Sequence, residues 1–322
     1  YSEQCLSTES VIDVSYKAQS AQYELHKDVI LPRVTRNQLE ESLTKIKYHK
    51  VIYDDWGFGE IDKVGRSNIL NFYGPPGTGK TLAAEAYAGC LDLPILKLGI
   101  AEVESKLMGE TSKNIQKAFA DASVQGAVLF FDEADTLLGS RLSSVTQGVD
   151  NEINAMRSTM LIELEKFSGI VIFATNFGKN YDSAFRSRIS HHVEFTLPDV
   201  DARQLLWNKM IVSKIPLKQE RDVLIEQCVM NSEGFSGREI VNCLRLALPK
   251  VIREAVDGNV EPQLTFEHLE QAINSIKKAQ NEIGQDAVTE AAKNKRQRKA
   301  TEIQMARQIL NGKRSEEAVD EG

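Results

Sequence analysis

From Ile69 onward the chain alternates between two kinds of segment. Apolar runs of strand length recur as "ILNFYG" (69–74), "PILKLGI" (94–100), "GAVLFFDEAD" (126–135), "GIVIFATN" (169–176) and "HHVEFTL" (191–197). Between them lie helical stretches, Lys80 to Ala88, Ser112 to Ala122 and Asp150 to Phe167. Strands this continuously apolar are buried on both faces, and a parallel sheet flanked by helices buries them so. The predicted class is therefore α/β. After Pro198 the strands stop, and "DARQLLWNKMIV", "GREIVNCLRLALPKVIREAV" and "TFEHLEQAINSIKKA" carry apolar residues at helical spacing, the last opening at Thr265 as a capped start. The expected organisation is an N-terminal segment over 1–50 with one helix around Asn37 to Lys47, and an α/β domain over 51–198. A small all-helical domain over 199–280 and a charged tail over 281–322 follow, with no internal repeat.

Composition narrows the class. The 322 residues fit about two domains. With 42% hydrophobic and 26% charged residues the chain has enough apolar side chains for a real core, which excludes disorder throughout. A net charge of −7 disfavours a general binder of nucleic acid or anionic membrane. The basic run "KNKRQRK" (293–299) reads more simply as a solvated helix or loose tail than as a targeting or nucleic-acid element. Cys5, Cys90, Cys228 and Cys243 show no paired spacing, which suits a reducing compartment. There is no apolar run of about 20 residues for a membrane span and no signal-peptide pattern at the start, so the expected location is cytoplasmic.

The chemistry concentrates at the strand ends. "GPPGTGKT", Gly74 to Thr81, follows a strand, precedes a helix, and fits G-x-x-x-x-G-K-[ST] at every fixed position. Gly77 and Gly79 let backbone N–H groups turn inward around phosphates, and the following helix adds its positive end. Lys80 can reach the β- and γ-phosphates, and the Thr81 hydroxyl can ligate Mg²⁺. Pro75, Pro76, Thr78 and Leu82 complete the candidate nucleotide contacts. Asp132 closes a buried strand, where ligands gather in open α/β sheets, and fits a Mg²⁺ carboxylate. Glu133 beside it fits the base that polarises an attacking water, which points to hydrolysis. Asn176 closes the "IVIFATN" strand, where its amide can hold the same water or touch the γ-phosphate. His191 and His192 lack metal-ligand spacing and read as structural, and Trp207 reads as core of the helical domain.

Together these motifs resemble the AAA+ ATPase family over about Asp54 to Ala279. The resemblance implies that the phosphate loop, "FFDEAD" and "ATN" are Walker A, Walker B and sensor 1, and that the helical domain is a lid. It implies that "YDSAFRSRISHHVEF" (181–195) is the second region of homology, with Arg188, and second to it Arg186, acting as an arginine finger in the next subunit's site. "SEGFSGREI" (232–240) is similar to sensor 2, with Arg238 after Gly237 reaching the nucleotide phosphates. "DDWGFGEID" (54–62) is similar to the segment over the adenine, which puts the backbone of Trp56, Gly57 and Phe58 to Gly59 near the base. "ESKLMGETSKN" (104–114) falls where the family carries pore loop 1. Leu107 and Met108 would grip an extended polypeptide in a homohexameric ring, with Gly109 as the turn. The competing reading packs Leu107 and Met108 under the following helix. Leu107 stands where the family usually has an aromatic residue, which suits brief or partial remodelling.

The implied function is a cytoplasmic ATP- and Mg²⁺-dependent motor that remodels a protein partner. The Gly237–Arg238 pair is similar to the HORMA-domain-remodelling branch and to a mitochondrial-membrane AAA branch. With the short N-terminal region and the lone module, the first of these is the branch implied, and by analogy a role in antiviral defence. Two other classes remain open at this point. One is a nucleic-acid-directed ATPase of the clamp- or helicase-loader type; the other is a nucleotide-gated scaffold, against which Glu133 weighs.

Overall fold

The computed structural model describes residues 15–62, 68–103, 110–139, 149–176 and 182–282. They form two compact units. The described residues up to Val212, with Ser232–Val241, make the first, and Ser213–Asn231 with the described residues from Asn242 on make the second.

The first unit is built on five strands: β1 (Asn68–Tyr73), β2 (Ile95–Gly99), β3 (Val128–Asp132), β4 (Ile170–Thr175) and β5 (His191–Glu194). β2 to β5 each fall inside one of the apolar runs, and β1 starts one residue before its run, at Asn68. All pairs are parallel, in the order β2-β3-β4-β1-β5. Successive side chains on a strand point to opposite faces, and the two cores divide accordingly. Leu129 and Phe131 of β3 enter one core with Phe119, Phe173 and Phe185, and Val128 and Phe130 enter the other with Phe72, Tyr87 and Phe195. Phe131 stacks on Phe173 with ring centroids 5.5 Å apart. The register pairs Tyr73 with Thr175 and Gly99 with Asp132, so the carboxyl ends of the strands finish at one edge. The Lys80–Gly89 helix lies close against the sheet because Ala83, Ala84, Ala86 and Ala88, all fully buried, offer no bulk to hold it off.

The N-terminal part is tied into the same unit. A helix spans Arg33–Lys47, four residues longer at its start than the apolar spacing predicts, because Pro32 pre-sets the backbone at its cap. Thr35 Oγ1 donates to the Glu194 carbonyl (2.6 Å) and Gln38 Oε1 accepts from the Glu194 N–H (3.0 Å), which fixes this helix on β5. Upstream, Gln19 exchanges two 2.8 Å backbone hydrogen bonds with Ile95, and Tyr16 and Ala18 donate N–H bonds to Asp121 and Gln125. Gln19 therefore pairs with β2, while Tyr16 and Ala18 are tied to the Glu110–Gln125 helix.

The second unit is helical among its described residues. It holds the Arg221–Asn231 helix, most of the Gly237–Gly258 helix, and a helix from 266 to 282. Cys228, Cys243, Ala247, Leu269, Ala272 and Ile273 are buried in it. Thr265 stands just before the last helix, its N–H donating to His268 Nδ1 at 3.2 Å and its hydroxyl 2.8 Å from the same nitrogen. Trp207, expected in the helical domain, is instead fully buried in the first unit, its Nε1 donating to Ser232 Oγ at 2.9 Å. Cys90, Cys228 and Cys243 are free thiols, and burial pushes that of Cys228 up to about 12. Cys5 and the basic run at 293–299 lie outside the described residues, among which no helix is long and apolar enough to cross a membrane.

Candidate active site at the ends of the strands

The loop between β1 and the Lys80–Gly89 helix curls back on itself. Thr78 Oγ1 donates to the Pro75 carbonyl at 2.8 Å. Gly77 (φ +77°) and Gly79 (φ +97°) hold left-handed backbone that an L side chain adopts only with strain. Lys80 is 8% exposed, and its Nζ donates to the Gly74 carbonyl (2.7 Å), the Pro75 carbonyl (2.9 Å) and Asn176 Oδ1 (3.0 Å). Burial holds its pKa below the ordinary lysine value, the nearby Asp132 and Asp135 oppose the shift, and Arg238 adds to it. The loop thus presents a desolvated cation among inward-turned backbone, a site for polyphosphate.

Asp132, the last residue of β3, accepts the Thr81 hydroxyl on Oδ2 at 2.8 Å and the Glu133 N–H on Oδ1 at 2.9 Å. A hydroxyl beside a carboxylate is the oxygen pair a Mg²⁺ ion takes. Glu133 follows with φ +54°, a left-handed conformation rare outside glycine, and its side chain is exposed. Strain of this kind persists where surrounding structure enforces it, typically at reactive positions. Here it turns the chain sharply off the strand and leaves Glu133 in solvent beside the Asp132–Thr81 pair.

Across the sheet, Asn176 sits just beyond β4, which is how its amide reaches Lys80. Its backbone N–H donates to Asp135 Oδ1 at 2.9 Å, and Thr175 Oγ1 makes a very short bond to the same oxygen. Asp135 was not among the residues singled out from the sequence; as the last residue of the "DEAD" run it carried a signal that could have found it.

The helix at Gly237–Gly258 brings Arg238 to the loop. The Arg238 N–H donates to the Gly77 carbonyl at 3.3 Å. A capping box starts this helix, with Ser236 N–H donating to Glu239 Oε2 (2.6 Å) and Glu239 N–H to Ser236 Oγ (3.4 Å). The approach is close: a methyl group added at Gly77 would lie 2.8 Å from both Arg238 Cβ and Ser236 Oγ.

Beside Gly77, Thr78 and Gly79 opens a cavity of about 210 Å³ with an apolar wall of Val29, Ile30, Leu82, Leu206, Met210 and Val241. Its apolar wall adjoins the glycine loop. Trp56, Gly57 and Phe58, expected near the base, do not line it. Trp56 is 76% exposed, and Phe58 packs edge-on against Tyr53 with centroids 5.4 Å apart. The stretch of chain that borders this cavity is instead that of Asp28, Val29, Ile30 and Pro32. Lys209 clamps that stretch, donating to the carbonyls of Asp28 (2.8 Å) and Lys27 (3.3 Å). A larger cavity of about 630 Å³ in the second unit, lined by Lys218, Glu254, Glu261 and His268 among others, has no strand ends or glycine loop around it.

Arg188 is held within its own chain. Its guanidinium forms a very short ion pair with Glu165, reinforced by Nε to the same oxygen at 3.1 Å, and Nη1 donates to the Ala184 carbonyl at 2.8 Å. Arg186 is exposed and lies near enough to His192 to lower that histidine's pKa, in which burial is the larger cause. Leu107, Met108 and Gly109 lie outside the described residues. Among those described, no cluster of three or more His, Cys, Asp or Glu residues is arranged to hold a metal alone.

Residues 70–197 match the family model described as ATPase family associated with various cellular activities (AAA). The chain carries an AAA ATPase domain. A 26S proteasome regulatory subunit homolog of Methanocaldococcus jannaschii is 34% identical over 213 residues, 65% of this chain and 55% of that protein. Spastin of Drosophila grimshawi is 30% identical over 194 residues, 58% of this chain and 24% of that protein. The crystal structure of a FIGL-1 AAA domain superposes with a TM-score of 0.65 over 82% of this chain and 86% of that one, at 19% identity. A second structure of that domain is in complex with ADP. The AAA domain therefore has the fold of the FIGL-1 domain, a five-stranded parallel sheet flanked by helices. The chain spans about half the length of the proteasome-subunit homologs it matches.

Proposed function

We propose that the protein is a Mg²⁺-dependent ATPase that works in the cytoplasm as a homohexameric ring and remodels a protein partner. The observation that carries the hydrolytic reading is the convergence at one sheet edge. Lys80 and Asn176 meet at 3.0 Å, Thr81 and Asp132 at 2.8 Å, and Glu133 projects beside them into solvent. ATP fits with its phosphates in the Gly74–Thr81 loop and its base against Val29, Ile30 and Leu206. Mg²⁺ held by Thr81 and Asp132 would neutralise charge between the phosphates. Glu133 orients and deprotonates the attacking water, and Arg238 adds positive charge at the phosphates. Arg188 exchanges Glu165 for the phosphates of a neighbouring subunit, which makes turnover depend on assembly. The similarity to proteasome regulatory subunits supports a protein as the substrate. Leu107 and Met108 are the proposed grip, and a HORMA-domain protein in a defence system is the proposed target.

Mixing tests the ring. Turnover per chain should rise with protein concentration, and Arg188→Ala chains added to wild type should depress the rate below the simple average of the two. A rate per chain independent of concentration and linear in the mixing ratio would sink the shared-site reading. Stimulation by DNA that vanishes as salt rises would move the substrate from protein to nucleic acid.

Lys80 gives a pH signature. In the empty site its proton leaves below the ordinary lysine range, and bound phosphates, being anionic, push that pKa back up. Between the two values ATP binding therefore takes up a proton. Calorimetry in buffers of differing ionisation enthalpy should show uptake growing as the pH becomes alkaline; its absence would place Lys80 away from the phosphates.

A further inference from the structure

We infer that Asp135 is a positioning residue for the hydrolytic step, acting through Asn176. The inference rests on the ATPase reading above, and nothing in the chemistry assigned so far uses this carboxylate. Asn176 ends a strand, and past Thr175 no ladder partner fixes the direction of its side chain. Asp135 supplies what the ladder no longer does. One of its oxygens accepts both the Thr175 hydroxyl and the Asn176 N–H (2.9 Å), and the neighbouring Ala134 N–H donates to the Ala174 carbonyl at 2.8 Å. Three consecutive residues at the end of β4 are thereby pinned to the two residues that follow Glu133. The Asn176 amide oxygen then points at Lys80 Nζ, 3.0 Å away.

The anchor is itself held. Asp135 opens the short Asp135–Leu138 helix, whose exposed carbonyls would otherwise lack partners. Arg157, 7% exposed on the Val149–Lys166 helix, donates Nη2 to the Thr136 carbonyl (2.7 Å) and Nε to the Leu137 carbonyl (3.1 Å). The Asp182 N–H takes the Leu138 carbonyl at 3.0 Å. The short helix that Asp135 opens is thereby tied to the helix that also carries Glu165, the partner of Arg188. A carboxylate fixed this firmly, with its bonds made to Thr175 and Asn176 rather than to Thr81 or Lys80, orients the amide and does not ligate the ion.

The test uses the full chain and two substitutions. Asp135→Ala removes the acceptor; Asp135→Asn keeps an oxygen that can accept the same two hydrogen bonds but removes the charge. With Asp135→Ala we expect kcat to fall about 10–100-fold, with affinity for a fluorescent ATP analogue within about threefold of wild type. Asp135→Asn should recover most of the lost kcat. Hydrogen exchange at the Asn176 amide should quicken in the alanine variant and stay slow in the asparagine one. That readout needs no turnover, so an inactive wild type would count against the ATPase reading while the exchange still decides the role of Asp135. An asparagine variant as inactive as alanine would show that the charge itself is needed, and would overturn the inference. Unaltered exchange at Asn176 in both variants, or parallel loss of affinity and kcat in the alanine variant, would overturn it as well.

Discussion

Glu133→Gln is expected to reduce ATP turnover by about 1,000-fold, or about 4 kcal/mol in the barrier, while leaving ATP affinity close to wild type. The two side chains have the same shape, and both leave the φ +54° backbone as it is, so the loop between β3 and the Asp135 helix should be undisturbed. What changes is basicity. An amide cannot take the proton from water, whereas the proposed phosphate contacts come from the Gly74–Thr81 loop, Lys80 included. Phosphate release under steady state and titration with a fluorescent ATP analogue separate the two effects. Residual turnover within tenfold of wild type would remove Glu133 from the base role, and a matching loss of affinity would assign it to binding. The same variant, held on ATP and isolated from its native cell, tests the partner. A discrete folded protein retained with it supports remodelling, and nucleic acid lost as salt rises supports the loader reading.

The sheet and its chemistry were legible because both are written in short continuous signals. Five apolar runs need two covered faces, and β1 to β5 each match one of them to within one residue at the start of β1. The phosphate loop is a fixed spacing, and Lys80, Thr81, Asp132 and Asn176 meet as that spacing and the strand ends imply. The wall of the cavity beside the glycine loop was not legible. The resemblance of 54–62 implied the backbone of Trp56 to Gly59 there, but Trp56 lies on the surface and Phe58 packs against Tyr53. The wall observed comes from Val29 and Ile30, in a segment held by Lys209, the Arg33–Lys47 helix and β5 through bonds made far apart in sequence. Residues 16–19 were illegible for a related reason. Their bonds run from backbone N–H groups to Asp121 and Gln125 and to the Ile95 backbone, and leave no apolar period to read. Trp207 shows the limit of pattern: helical spacing gave its burial but not which core it entered.

Gly74→Ala should destabilise the first unit by at least about 3 kcal/mol, well beyond Gly79→Ala at about 1–2 kcal/mol. The motif alone ranks these glycines together, as residues that let backbone approach phosphate. The packing separates them. A methyl group at Gly74 would lie 2.1 Å from the Phe195 carbonyl oxygen and 2.9 Å from its carbon, on backbone that carries φ +141°. That carbonyl has little room to retreat. The Phe195 N–H is bonded to the Tyr73 carbonyl at 2.7 Å, its ring is fully buried against Phe72, and Gly74 N–H itself reaches the Thr175 carbonyl on the other side at 3.2 Å. Relief therefore requires β1 to part from β5 or β4, and with it the loss of hydrogen bonds that no water replaces in that core. At Gly79 nothing lies within 4 Å of the added methyl, so only the strain at φ +97° counts. Thermal unfolding without nucleotide isolates this difference from any effect on binding. If the two variants melt together, the first glycine of the loop is there for the phosphate after all; if Gly74→Ala melts far lower, it is there to let the loop leave the sheet.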